Sequence, residues 1–203
     1  TDTVTDVTTE IMFNKTGIHF KAIQGNLAGQ TVQGDGLINL ADKRIELTLN
    51  SQVMQVSYLG TLLKLTNWPL QGQAQQTTLT IQGPLKYPHL SGRLTARAIQ
   101  HRANPAYTLA NAVIQYDYSV GDRELALDIK QGTWQSGEIT GRIRTTLNSQ
   151  ALNATLRAKN LTWPGGQATL NATATGHLAD YTLSITAVNH VPVALPGGYY
   201  LSN

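Results

Sequence analysis

Leu152-Asn153-Ala154-Thr155-Leu156-Arg157-Ala158-Lys159 puts an aliphatic residue at every even position and a polar one at every odd position. Successive side chains of an extended chain point to opposite faces, so this stretch is a strand with one apolar and one polar side. The same period recurs in both directions. Leu125, Leu127 and Ile129 alternate with Glu124, Asp128 and Lys130, and Ile139, Ile143 and Leu147 share one parity while Glu138, Arg142 and Arg144 take the other. Leu47 with Leu49, Leu79 with Ile81, Leu94 with Ala96, Leu170 with Ala172 and Leu183 with Ile185 continue the pattern. Turn formers punctuate the series at Asn14-Lys15-Thr16-Gly17, Ala41-Asp42-Lys43, Gly83-Pro84, Asn104-Pro105, Gly121-Asp122 and Pro164-Gly165-Gly166. The spacing predicts roughly 13–16 strands joined mostly by short turns, an all-β antiparallel meander. The best helical stretch, Leu59 to Leu65, is short and is closed by Trp68-Pro69.

Composition agrees. The 203 residues are 41% hydrophobic and only 13% charged, where an ordinary soluble domain carries about 25% charged residues. Twenty-six threonines, with many Asn and Gln, stand where Lys and Glu usually stand. Such side chains suit a pleated surface better than a helix. The net charge of +3 is spread along the chain with no basic stripe and few aromatics, so nucleic acid is not an expected partner. The absence of cysteine excludes disulfides, zinc knuckles and thiol catalysis. No apolar run approaches the ~18 residues of a membrane-spanning helix.

Candidate chemistry is sparse. His19, His89, His101, His177 and His190 have no metal-site spacing, and no metal or cofactor is implied. Asp117, Asp128 and Glu138 are scattered among strands and form no recognisable acid pair. Neither a nucleophile elbow nor a phosphate loop is present, so no catalytic residue is assigned and no enzyme is expected. Arg93, Arg97, Arg142 and Arg144 fall on polar strand faces, where either solubility or attraction to anionic head groups accounts for them. Trp68 and Trp163 read as packed anchors beside prolines.

A repeat is also visible. Leu65-Thr66-Asn67-Trp68-Pro69 recurs as Leu161-Thr162-Trp163-Pro164, and each copy leads to a Gly-x-Leu step, at Gly83-Pro84-Leu85 and Gly176-His177-Leu178. The tryptophans are 95 residues apart and the glycines 93. The chain therefore reads as one continuous segment, 1–203, with repeat units of approximately 60–155 and 156–203, the second cut short. Its ends fall inside the alternating pattern, as expected for a piece of a longer protein.

The stretch Leu79-Thr80-Ile81-Gln82-Gly83-Pro84-Leu85-Lys86-Tyr87-Pro88-His89-Leu90-Ser91-Gly92-Arg93-Leu94 resembles the recurring strand–turn–strand phrase of the TamB and AsmA-like family. So does the order Leu161-Thr162-Trp163-Pro164, Gly176-His177-Leu178-Ala179-Asp180-Tyr181, Leu195-Pro196. The resemblance covers about residues 60–203; it departs at Gly165-Gly166, where the family has a leucine and a longer polar insert. It implies a long sheet curled into an open U-shaped groove (a β-taco), apolar inside and polar outside. It further implies a periplasmic segment whose parent is anchored in the inner membrane and carries phospholipid towards the outer membrane. An outer-membrane partner of the TamA/BamA type, acting in assembly of β-barrel proteins, is implied for the parent.

On that expectation the groove is lined by Leu47, Leu49, Leu79, Ile81, Leu94, Leu125, Leu127, Ile129, Ile139, Ile143, Leu147, Leu152, Leu156, Leu170, Leu183 and Ile185. About 14 strands spaced about 4.8 Å apart would make a trough of about 65 Å. Period two alone is equally served by a closed sandwich or barrel core. Two other roles also fit an all-β chain: a scaffold whose sheet edges pair with partner strands, and a repetitive adhesin-like surface module. Open edges are further expected to pair with one another.

Overall fold

The computed structural model describes residues 4–27, 30–57, 70–134, 136–163, 166–177, 179–189, 193–195 and 199–201. The first strands are β1 (Val4–Phe13), β2 (Gly17–Leu27), β3 (Gln30–Asn39), β4 (Arg44–Gln55) and β5 (Leu70–Pro84). They are followed by β6 (His89–His101), β7 (Asn104–Ser119), β8 (Glu124–Trp134), β9 (Gly137–Thr146) and β10 (Ala151–Trp163). The last are β11 (Gly166–His177), β12 (Asp180–Asn189), β13 (Val193–Leu195) and β14 (Tyr199–Leu201). β1 to β12 form one open sheet in strict sequence order, each strand antiparallel to the next, and β13 pairs with β14 beside β11. The all-β meander expected from period two is the observed fold. Among the described residues only Val56 and Ser57 turn helical, where β4 ends; the stretch Leu59 to Leu65 and the repeat phrases at Leu65–Pro69 and Pro164 lie outside the described residues.

Short turns hold the meander by local hydrogen bonds. The Asn14 side-chain oxygen accepts from the backbone N–H of Thr16 (2.9 Å) and of Gly17 (2.8 Å). At two further turns on the same end, the N–H of Asp42 donates to Asn39 Oδ1 and that of Asp122 to Ser119 Oγ. Lys43, Arg123 and Gln150 close their turns with φ of +53°, +54° and +55°. Asx-type bonding and a left-handed residue are what such tight connections require.

Strict alternation is broken inside the strands, and the breaks keep the faces consistent. Ala22, Gln76, Ala98 and Asn160 sit mid-strand at φ of +49° to +55°, each at a register shift against a neighbouring strand. A further shift falls at Lys130-Gln131. Each bulge adds a residue and flips the parity. Leu152, Ala154, Leu156 and Ala158 therefore share their face with Leu161, and Leu79 shares its face with Ala74. Without the bulges, half of each strand would turn its aliphatic residues to the polar side.

Bulges also bend strands. Those at Gln76, Ala98, Lys130-Gln131 and Asn160 flank one cross-strand ladder, Met54–Ala74–Ala96–Ala112–Gly132–Ile139–Ala158, in which every non-glycine member is buried. No helix or second large sheet covers this face among the described residues. Leu70, Ile99 and Leu109 from one half of the strands and Ile114, Tyr116 and Ile129 from the other pack against it. Small side chains suit the crease: a Cβ on Gly132 would stand 2.6 Å from Ile139 Cγ2. The result is a curled trough with its core along the crease.

Candidate functional site

Three further ladders line the trough between the crease and the turns at residues 40–43, 85–88, 120–123 and 147–150. The outermost runs Leu47–Ile81–Leu90–Tyr118–Leu125–Thr145–Leu152–Gly176–Tyr181. Next comes Leu49–Leu79–Gly92–Tyr116–Leu127–Ile143–Ala154–Ala174–Leu183. The third is Leu94–Ile114–Ile129–Gly141–Leu156–Ala172–Ile185. These rows hold thirteen of the sixteen residues expected on the apolar side. Ile139 and Leu170 fall on the crease ladder and its continuation, and Leu147 stands in a turn, in line with Thr145 on the same parity.

The sixteen are not equivalent. Leu94 and Ile139 are buried by protein neighbours and belong to the core, whereas Leu183 and Ile185 lie on the open edge and are more than half exposed. Sequence reading missed much of the crease, because Met54, Ala74 and Leu161 break the parity it followed, whereas Ala112 keeps the parity of Ile114 and Tyr116. The available signal was the change of apolar parity within one strand, from Leu156 and Ala158 to Leu161.

No Asp, Glu, Lys or Arg occupies any of the four ladders, so these rows present no fixed charge to whatever enters the trough. Its polar groups are few. Tyr116 donates a 2.8 Å hydrogen bond to the Thr78 carbonyl, and burial pushes its pKa up to about 12. Ser51 Oγ donates to the Val53 carbonyl, and the buried hydroxyls of Thr77 and Thr145 have no partner in the protein.

Among the described residues charge is confined to the outer face and the turns. Arg142 bonds Asp128 at 2.6 Å, Lys130 reaches the same carboxylate at 3.3 Å, and Arg144 pairs with Glu124 at 3.3 Å. The Arg142 hydrogen bond holds the Asp128 carboxyl below its ordinary range. Arg142 and Arg144 are thus occupied by cross-strand partners. Asp117 is bonded to His89 (2.7 Å), His19 to Asn14, and His177 Nδ1 lies 3.0 Å from the Ser149 carbonyl oxygen. No cluster able to hold a metal forms among the described residues. Two depressions mark the outer face, one bordered by Arg93, Gln115, Asp117 and Asp128, the other by His19, Asp35 and Glu46. Neither aligns a nucleophile with a base. Trp68 and the Trp163 side chain lie outside the described residues, and no helix among the described residues is long and apolar enough to cross a membrane.

No protein-family model matches this chain, and no curated protein or solved structure is similar to it.

Proposed function

We propose that the trough binds the acyl chains of phospholipids and lets them slide along it, as one segment of a protein that carries lipid between the inner and outer membranes across the periplasm. The observation that carries this is the continuity of the apolar face. Its ladders cross up to nine strands, charge-free, with no covering layer among the described residues, and every bulge preserves their side. Twelve strands span about 55 Å, longer than an acyl chain. A sixteen-carbon chain gains roughly 12 kcal/mol gross wherever it lies, at about 0.8 kcal/mol per methylene. Equal gain along the path is what a sliding ligand needs, and aliphatic walls of similar depth provide it. The groove does no covalent chemistry. The parent's anchor in the inner membrane and an outer-membrane partner of the TamA/BamA type are parts of the same proposal, supported by the resemblance to the TamB and AsmA-like family.

The test places a photo-crosslinking residue at Leu127, inside the trough, and separately at Gln115, on the outer face, in cells with intact membranes. Lipid attached at 127 and absent at 115 is the expected result. Lipid at neither position would mean that the aliphatic face is closed against protein.

A second reading, a scaffold that pairs strands through its edges, is favoured by β12 alone. That edge strand has ten consecutive pairs with β11 and no bulge, and it exposes Tyr181, Leu183, Ile185 and Val188. Edges of this kind invite a further strand.

A further inference from the structure

The turns at one end of the sheet form a continuous lip. The N–H of Leu40 donates to the Thr16 carbonyl (3.0 Å) and that of Leu85 to the Lys43 carbonyl (2.8 Å). In the same way Val120 donates to Pro88 (3.3 Å) and Leu147 to Arg123 (2.8 Å). Each donor is apolar and lies two residues beyond an inner-face position, so the lip prolongs the trough wall. Phe13, Leu40, Leu85, Tyr87 and Leu147 along it are between 39% and 74% exposed. The other large exposed apolar residues among those described belong to the edge strands β1 and β12.

The same lip carries the positive charge. In its first four turns Lys15, Lys43, Lys86 and Arg123 stand with Asp42 and Asp122 as the only acids; of the strand residues that follow, Arg44 adds a cation and Glu124 an acid, the latter paired with Arg144. Both turn carboxylates are tied inward, Asp42 accepting from Asn39 Nδ2 and Asp122 from the Ser119 hydroxyl. Four cations against two acids leave these turns a surplus of two. Lys86 stands 5.1 Å over the Tyr87 ring, so a cation and an interfacial aromatic share one turn.

From this juxtaposition we propose that the lip docks on the surface of an anionic lipid bilayer. Leucine and phenylalanine tips leave water for the acyl boundary, tyrosine sits at head-group depth, and the cations meet lipid phosphates. The lip extends about 40 Å with one similar turn every second strand. A long, repetitive edge of that kind matches a planar fluid surface better than a shaped protein pocket. Docking would hold the mouth of the trough against the bilayer. The inference goes beyond the contents of the groove and does not require it to be filled.

Flotation of the protein with vesicles tests it, using phosphatidylcholine alone and phosphatidylcholine with about one third phosphatidylglycerol. Binding to the anionic vesicles is expected to be at least about tenfold stronger and to fall in high salt. The Lys43→Glu/Lys86→Glu variant should lose about tenfold or more of it, while Arg102→Glu at the opposite end should not. All these side chains are exposed, and unchanged thermal melting will show that each variant folds. Leu127→Asp should float like the wild type while losing bound lipid. Equal binding to both vesicles, or full binding by Lys43→Glu/Lys86→Glu, overturns the proposal and turns the lip over to a protein partner. Loss of flotation in Leu127→Asp with the lip intact also overturns it, because vesicle association would then be uptake of lipid into the groove.

Discussion

Tyr116 lies directly across from Gly92 in the β6–β7 ladder, and its hydroxyl passes beyond that glycine to donate to the carbonyl of Thr78 on β5. The bare backbone at Gly92 makes the crossing possible. A Cβ there would overlap both the Thr78 carbonyl oxygen and the Tyr116 hydroxyl. An aromatic ring covering a strand glycine restores the packing that the glycine forfeits. Gly92→Ala should therefore cost about 2–3 kcal/mol, because backbone has to yield. Tyr116→Phe, which removes one hydrogen bond, should cost only about 1 kcal/mol. Urea titration of both variants checks the order, and a Gly92→Ala protein as stable as the wild type would exclude this arrangement.

The same tyrosine makes the fold alkali-sensitive. Burial raises its pKa to about 12 from an ordinary 10.0, so the folded state favours the protonated phenol. That contribution is complete below pH 10 and fades as pH climbs towards 12, since the unfolded chain ionises first. A two-unit gap corresponds to about 1–2 kcal/mol after allowance for the partly exposed ring. Melting curves taken through this range should fall more steeply for the wild type than for Tyr116→Phe. Parallel slopes would show that Tyr116 is not the responsible group.

At the crease, side-chain size matters more than hydrophobicity. Ala74, Ala96, Ala112 and Ala158 stand in register with no exposed surface to speak of. Ala96→Leu adds apolar atoms yet should destabilise by about 1–3 kcal/mol, because both flanking positions in the ladder are already filled. Leu127→Ala, on a half-exposed wall, should cost less than a full core truncation of about 2–5 kcal/mol. Reversal of that order in chemical denaturation would place the core elsewhere.

Much of the architecture follows from period two. The alternation at Leu125–Lys130 and Leu152–Lys159 is enough for strands, and the short Asn- and Asp-rich turns between them are enough for an antiparallel meander. The inner-face rows follow from the same parity. The crease follows only in part, because a bulge is a backbone event: Gln76 and Ala98 carry nothing in their side chains that announces φ near +50°, and of the three bulge residues Gln76, Ala98 and Asn160 only Asn160 is a type that favours it. The lip was hidden for a different reason. Leu40, Leu85 and Leu147 are ordinary turn-flanking leucines in sequence and become one surface only when the meander stacks their turns.

Asp128 gives the outer face an acid-labile tie. Its carboxyl accepts hydrogen bonds from Arg142 and Lys130 and is held below the ordinary value of 3.8, the Arg142 bond being the larger cause. The contribution is present above that value and is lost as pH falls through the lowered folded value. Asp128→Asn should therefore show a smaller drop in urea midpoint than the wild type between about pH 7 and about pH 2.5. The site is exposed and screened, so the difference should be modest and should shrink in high salt. An identical drop in both proteins would assign the acid sensitivity to other carboxylates.

The two edges of the sheet should behave differently from each other. β1 is interrupted by register shifts around Thr8 and by Asp6 at φ +53°, and it carries Glu10, features that discourage a neighbour strand. β12 has no register shift and no positive φ, its one acid, Asp180, stands at its first residue, and Ile185 at its centre is 60% exposed on the apolar side. Pairing of two β12 strands about a two-fold axis would keep both apolar faces on the same side and join two troughs into one, whereas a β1 contact would have to straighten a bulge first. A charge at the centre of β12 should therefore suppress association at micromolar concentration, and Ile11→Lys on β1 should leave it unchanged. Sedimentation velocity of Ile185→Lys against the wild type decides the matter: a dimer that survives Ile185→Lys but is lost in Ile11→Lys would move the sticky edge to β1.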